Sequence, residues 1–537
     1  MFIVAAACSG GGTTSPPPRL PARTPAPPPV DAAVAVVAPA PIARGGACTP
    51  ERSCAAGMMC FPLPGGYCAS PCGLTGAACP DGRCIETARA GEVCAKGCAA
   101  DAECRVDEGY LCDPVWHACL LPNLAAIVPK QCPAPTGLGH DKAFGASEAL
   151  SSAAGPGVYQ FEPSAVVAKD GGVVAMYITR GAMTEPNVLG VARTGASKAI
   201  DVPFTSERAS HFDPWLARDS RGVIYAVWLG FDGRDQHQQI GFSSSKDGGV
   251  TWSAAVGVDA PGDCADGEAD CLDKPMVVVG PRDELYVMYA AGDGLRVRAS
   301  RDGGKTFGTA VTALAGIYGN AVVGADGRLH IVTLNGGPMG AFGSADQKVE
   351  YAVSADGGTS FTTPQTLSGR DEKLPFFFSN PSVAVDGRRG WIYVAYTRGG
   401  RDAVWDLVIA ASKDKGKTWK RTRIGDDPAC AIHMVPNLAL DPNTGTLHVA
   451  WYDSRGAVGR FAHATCAAGA TSCVQRGAIN DVPFAALSTE RHGAKWIGEY
   501  EALVVDAKKK QLHAVWSQPV AEGDQVVTRI FHATGSL

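Results

Sequence analysis

One short strand, patterned aliphatic, variable, aliphatic, small or apolar, then aromatic, returns seven times along the chain. It reads Val173–Tyr177, Ile224–Trp228, Leu285–Tyr289, Leu329–Thr333, Ile392–Tyr396, Leu447–Trp451 and Leu512–Trp516. Repeats of about 57 residues are units that cannot bury an apolar face alone and must pack against their neighbours. Most copies follow a strand that opens near proline, at Glu162-Pro163, Asp213-Pro214, Lys274-Pro275, Asn380-Pro381 and Val435-Pro436. Most also lead into a third and a fourth strand. Four antiparallel strands at this period predict an all-β fold over residues 141–537. The expected form is a seven-bladed β-propeller, with six blades as the alternative, because radial closure leaves few open edges.

The last copy has only three strands, ending near Thr534. The segment Ala143–Leu150 reads as a lone fourth strand, since Phe144-Gly145-Ala146-Ser147 echoes Trp252-Ser253-Ala254-Ala255. The two ends of this region are therefore expected to pair in one blade and seal the ring.

Between the third and fourth strands stands the most specific motif of the chain. It runs Ser245 to Trp252 around Asp247, Ser300 to Phe307 around Asp302, Ser354 to Phe361 around Asp356, and Ser412 to Trp419 around Asp414. A short carboxylate can accept from the turn amides, glycine permits positive φ, and the aromatic residue anchors the hairpin. These segments resemble the Asp-boxes of the sialidase-like, BNR-repeat propellers. The resemblance implies that the four aspartates are structural and that the boxes lie on the face opposite the binding face.

Nineteen cysteines fix the expected compartment, because an oxidising environment turns so many thiols into staples. Twelve of them, from Cys48 to Cys119, form three groups of four within a Cys-rich module spanning residues 47–132. Units this short cannot bury a core, so disulfides must replace it. The module looks like the small extracellular Cys-rich repeats of the EGF-like kind. The paired knuckles of a zinc ribbon are absent. Elsewhere Cys264/Cys271 and Cys466/Cys473 each enclose a short loop, and Cys132 is left to pair with Cys430.

The chain opens with Ala5-Ala6-Ala7-Cys8, which resembles the end of a bacterial lipoprotein signal and makes Cys8 the expected lipidation site. Residues 1–8 would be the remnant of that signal, whose basic start and full apolar core an upstream start codon would supply. Residues 9–46, rich in proline and alanine, have too little bulky apolar surface to fold and form the expected tether. The chain is thus expected to be exported, as an outer-membrane or cell-surface lipoprotein that meets the membrane only through its lipid. A formal charge of −5 offers no global basic field for nucleic acid.

In a propeller the binding face forms where inner strands begin and second strands end. Those positions hold Glu162, Arg180, His211, Asp213, Trp215, Asp273, Lys274, Tyr318, Asn320, Asn335, Asn380 and Arg398. Repeats six and seven add His433, Asn437, Asp453, Arg455, Glu499, Tyr500 and Glu501. Arg180, Arg398 and Arg455 stand at equivalent places, and three guanidiniums can clamp a carboxylate such as that of sialic acid. With Glu499, Tyr500 and Asp213 they are the candidate catalytic set of a sialidase-type exo-glycosidase acting on terminal acidic sugars.

Two features weigh against that reading. Sialidases open the first blade with an Arg-Ile-Pro-type motif, and here the stretch is Gln160-Phe161-Glu162-Pro163. Glu499 and Tyr500 are also adjacent, so on a regular strand they would face opposite ways. The favoured expectation is a non-catalytic propeller that binds glycan or protein ligands through residues such as Glu162, His211, Trp215, Asn320, Asn380, His433, Asn437 and Asp453. No cofactor is required. The only metal reading is Ca²⁺ on the acidic loop carrying Asp263, Asp266, Glu268 and Asp270, whose oxygens suit a hard cation.

Overall fold

A computed structural model describes residues 40–120 and 138–537 with interruptions, the longest being 72–78, 195–201, 263–270, 336–346 and 486–496. Cys8, the tether up to residue 39, Cys132, Cys264, Cys430 and the acidic loop carrying Asp263, Asp266, Glu268 and Asp270 lie outside the described residues.

The repeats form seven antiparallel blades around one axis. Their inner strands are Tyr159–Val167, Ser210–Arg218, Leu272–Val279, Tyr318–Val323, Ser382–Asp386, Ala431–Leu440 and Ala502–Asp506. Each packs beside the next, and the seventh returns to the first. Blades 1 to 4 are separate four-stranded sheets. Blades 5 and 6 join into one larger sheet through a single parallel pairing of Trp405 with Ile432. Second strands are buried almost throughout, as their continuous apolar runs require, with Trp228, Trp451 and Trp516 among the largest fully buried side chains.

The seventh blade closes the ring as its spacing implies. Gln511–Glu522 and Gln525–Ser536 complete a hairpin, and the fourth strand is Glu148–Ala149 from the front of the domain. Phe144 bridges Gly535, and the Leu150 amide donates to the Ile530 carbonyl. Two histidine pairs flank this seam. His463 stacks on His448 and contacts Asp141, while His532 stacks on His513 and contacts Glu148.

The Ser-x-Asp turns are built alike. In the first, Asp247 Oδ1 accepts from the amides of Val250 and Thr251 and Oδ2 from the Thr251 hydroxyl. Asp302, Asp356 and Asp414 repeat this, and the donors hold each of the four carboxyls below the usual range. Phe307 of blade 3 packs edge-on against Phe242 of blade 2, and Trp419 of blade 5 against Tyr351 of blade 4. The turns of blades 3 and 5 therefore lock each of these blades to the preceding one.

In the Cys-rich module the first and third, and the second and fourth, cysteines pair in the first and last repeats, and the second and fourth pair in the middle one. The bonds are Cys48–Cys60 and Cys54–Cys68, then Cys79–Cys94, then Cys98–Cys112 and Cys104–Cys119. A small apolar cluster around Tyr67, stacked on Tyr110, fills the space between them. Residues from Ile42 to Gly46, read as tether, are tied in here: Gly45 donates to the Cys68 carbonyl and Arg44 to that of Cys94. In the propeller Cys466 pairs with Cys473, and Cys271 is disulfide-bonded. No helix of the described residues is long and apolar enough to cross a membrane.

Candidate functional site

The proline-marked inner strands do not simply open at proline. In blades 1, 2, 3 and 6 the pairing slips by a residue at Phe161/Ser164, Phe212/Trp215, Asp273/Met276 and Met434/Asn437. The residue before each proline has positive φ: Glu162 at 57°, Asp213 at 50°, Lys274 at 51° and Val435 at 52°. Pre-proline residues are normally driven to extended backbone, so the conformation is strained and must be held by its surroundings. Three of these four residues have ionisable side chains, and they meet one another.

Lys274 is the hub. Its Nζ lies 2.6 Å from Glu499 Oε2 and 3.2 Å from Asp213 Oδ1, and 5.8 Å and 5.3 Å from the rings of Tyr318 and Tyr500. Glu499 reaches the same point from blade 7. Its Oε1 accepts from the Tyr318 hydroxyl at 3.0 Å, and its backbone amide donates to Glu162 Oε1 at 3.1 Å. Glu162, Asp213 and Glu499 are all buried.

Ordered protonation lets so many carboxyls coexist. Burial works against ionising Asp213, yet Lys274 and the hydrogen bonds from Asp273, Glu162 and Lys274 hold its carboxyl below the usual range. Burial and the Asp213 charge push Glu162 well up. Burial above all, with Asp213 and Glu499 adding to it, raises Asp273 to about 7 despite Lys274. Asp213 is thus the carboxyl of the three that ionises most readily, bonded to two that resist ionisation. Burial opposes the Lys274 charge, but Asp213 and Glu499 keep it firmly protonated.

Glu499 and Tyr500 do not face opposite ways as a regular strand would demand. Gly498 has φ of 80°, and strand pairing begins only at Ala502. Both side chains consequently converge on Lys274. A Cβ at position 498 would collide with the Glu162 side chain, so only glycine fits there.

Beside this knot lies a small, narrow pocket lined by Trp215, Asn320, Ser382, Asn437, Glu499, Tyr500 and Glu501. Several lining groups are spent on stitching blades. Asn320 Oδ1 accepts from the Val383 amide, Ser382 Oγ from that of Leu438, and Asn437 Nδ2 donates to the Glu501 carbonyl. Asn380 donates to the Glu499 carbonyl. Others are not spent: the Tyr500 hydroxyl and both carboxyl oxygens of Glu501 are buried without a hydrogen-bond partner. Burial pushes the Tyr500 hydroxyl and the Glu501 carboxyl well up. Trp215 meets Tyr500 edge to face with ring centres 5.7 Å apart.

The remaining sequence candidates are scattered. Arg398 is paired with Asp406 at 2.8 Å, and Arg423 contacts the same carboxylate, so its guanidinium belongs to blade 5. Arg180 is half-buried, and burial lowers its pKa. Arg455 ends the second strand of blade 6, and its side chain lies outside the described residues. His433 and Asp453 form a fully buried pair at 3.1 Å beside Trp451. His211 is buried against the Asn187 carbonyl, burial lowering its pKa. Asn335 donates to Glu350 in its own blade. Ser382 and Val435 of the pocket were not singled out from sequence, although both sit at the proline-marked strand starts.

No protein-family model matches the chain, and no curated protein matches it. Solved structures are similar at low identity. A protein of unknown function from Dyadobacter fermentans is 14% identical with a TM-score of 0.46, over 73% of this chain and 98% of that one. An α-L-arabinanase of Penicillium chrysogenum complexed with arabinobiose is 15% identical with a TM-score of 0.42, over 59% and 94%. A mutant NanB sialidase of Streptococcus pneumoniae is 11% identical with a TM-score of 0.41, over 60% and 68%.

Proposed function

We infer that this is an exported, lipid-anchored surface protein whose propeller binds a carbohydrate without transforming it. The carrying observation is the pocket beside Trp215, where the Tyr500 hydroxyl and both Glu501 oxygens stand buried with no partner. Buried polar atoms normally find hydrogen bonds, and an indole wall beside open donors and acceptors is what a sugar's hydroxyls and C–H face require. The carboxyls of the knot bond to each other instead of flanking a vacant cleft. Two-carboxylate glycoside hydrolysis needs them roughly 5–9 Å apart. The disulfides suit an extracellular or periplasmic protein. Cys8 would carry the lipid.

Glycan-array screening followed by calorimetric titration tests the reading. Binding is expected for the native chain and a loss of at least tenfold for Tyr500→Phe. Silence towards all carbohydrates would overturn it.

One observation favours a second reading, an exo-glycosidase. Asp213 is held low while Asp273 and Glu162 are held high, the kind of split that assigns base and acid. Turnover of fluorogenic glycosides, sialosides included, that disappears in Asp213→Asn would establish this reading over binding.

A further inference from the structure

The pocket and the knot behind it hold five carboxyl groups, on Glu162, Asp213, Asp273, Glu499 and Glu501. Among the described residues there, one cation stands against them, Lys274. It is fully committed, held by Asp213 and Glu499 between two tyrosine rings. No arginine lines the pocket among the described residues, and Arg398 is bound to Asp406. A ligand carboxylate entering here would find no guanidinium and no uncommitted ammonium among the described residues to receive it. A buried carboxylate that finds no cationic partner is unfavourable, which opposes such a ligand.

The opposite charge has a place prepared. Glu501 is 3% exposed, lines the pocket, and has both oxygens without a hydrogen-bond partner. Its backbone carbonyl is held by Asn437 Nδ2 at 2.8 Å, which fixes the residue in place. A carboxylate with both oxygens open accepts best from a group that supplies several donors and a compensating positive charge. Trp215 and Tyr500 provide the aromatic wall that a cation also favours.

We propose that the ligand is an amino sugar bearing a free ammonium group, and that Glu501 receives that ammonium. This rests on the carbohydrate reading above and narrows it to one chemical class. The empty pocket keeps Glu501 as a neutral acid because burial disfavours its charge. Arrival of the ammonium makes the carboxylate the favoured form, so one proton leaves Glu501 for solvent as the ion pair forms.

The test titrates the full chain with three oligosaccharides of equal length: a glucosamine tetramer, its fully N-acetylated counterpart, and a uronic acid tetramer. The glucosamine tetramer should bind at least tenfold more tightly than the acetylated one. Glu501→Gln, checked for folding by thermal melt, should erase that margin. Repeating the titration in buffers of different ionisation enthalpy should show proton release with the amine. That last measurement uses the native chain and decides the matter if the variant does not fold.

Equal or tighter binding of the acetylated or the uronic acid tetramer, a margin that survives in Glu501→Gln, or amine binding without proton release would overturn this inference and leave the carbohydrate reading standing. Failure of all three tetramers, with silence across the glycan array, would remove both.

Discussion

Lys274 of blade 3 and Glu499 of blade 7 meet at 2.6 Å, tying the inner strand of one blade to the segment that leads into the inner strand of another, two blades that are not neighbours in the ring. Removing one partner of a buried pair strands the other charge, which typically costs about 3–5 kcal/mol. Lys274→Met should lower unfolding free energy by roughly that amount in chemical denaturation. Adding Glu499→Gln should recover part of the loss. A single variant as stable as the native chain would mean that the knot contributes little.

The raised Asp273 carboxyl makes stability depend on pH. The unfolded group titrates near its ordinary value of 3.8 and the folded one at about 7, so between these the native state holds a proton that the unfolded chain has lost. Stability from this group is complete below pH 4 and disappears as pH rises through 7. Asp273→Asn keeps an N–H donor for Asp213 and cannot titrate. Its melting temperature should fall less than the native one between pH 5 and pH 7.5. Parallel slopes for the two proteins would contradict this.

Gly304 and Gly303 offer a matched pair. Both have positive φ, 86° and 75°, but a Cβ at 304 would collide with the Phe242 ring of the preceding blade, whereas at 303 the nearest atom is 3.8 Å away. Gly303→Ala should cost about 1 kcal/mol of backbone strain. Gly304→Ala adds overpacking and should cost roughly 3 kcal/mol in all. Equal losses in denaturant titrations would show that the turn does not bear on its neighbour.

Cys466–Cys473 closes a small loop in blade 6, with a sequence separation of 7. Chain entropy assigns such a bond about 2.5 kcal/mol. Replacing both cysteines with serine should lower stability by that amount and leave ligand affinity unchanged, because neither residue lines the pocket. Loss of binding in the folded variant would tie this loop to the site.

Much of the fold was legible because it is periodic. Equal spacing, repeated turn chemistry and a missing last strand predict a sealed ring without any knowledge of contacts. The site was less legible because it departs from regular geometry. The alternation rule separates Glu499 from Tyr500, but Gly498 bends the chain first and the rule does not apply. The prolines mark the right places, yet they appear as strand starts, whereas four inner strands carry strained bulges just before them. Arg398 looked free at the end of its strand. Asp406 is its register partner across the hairpin, and the eight-residue interval between opposite charges was the readable signal.

The sealed seventh blade also governs when this molecule can mature. Glu148 and His532 touch although 384 positions separate them. Contacts so distant along a polypeptide slow acquisition of the native state. Blades 1 to 6 can condense in order of arrival, but the final one waits for the last segment of the chain to be delivered. Until then Glu148–Ala149 stands without its partner strand and is open to pairing with another molecule, which makes late assembly the step most in need of protection from aggregation.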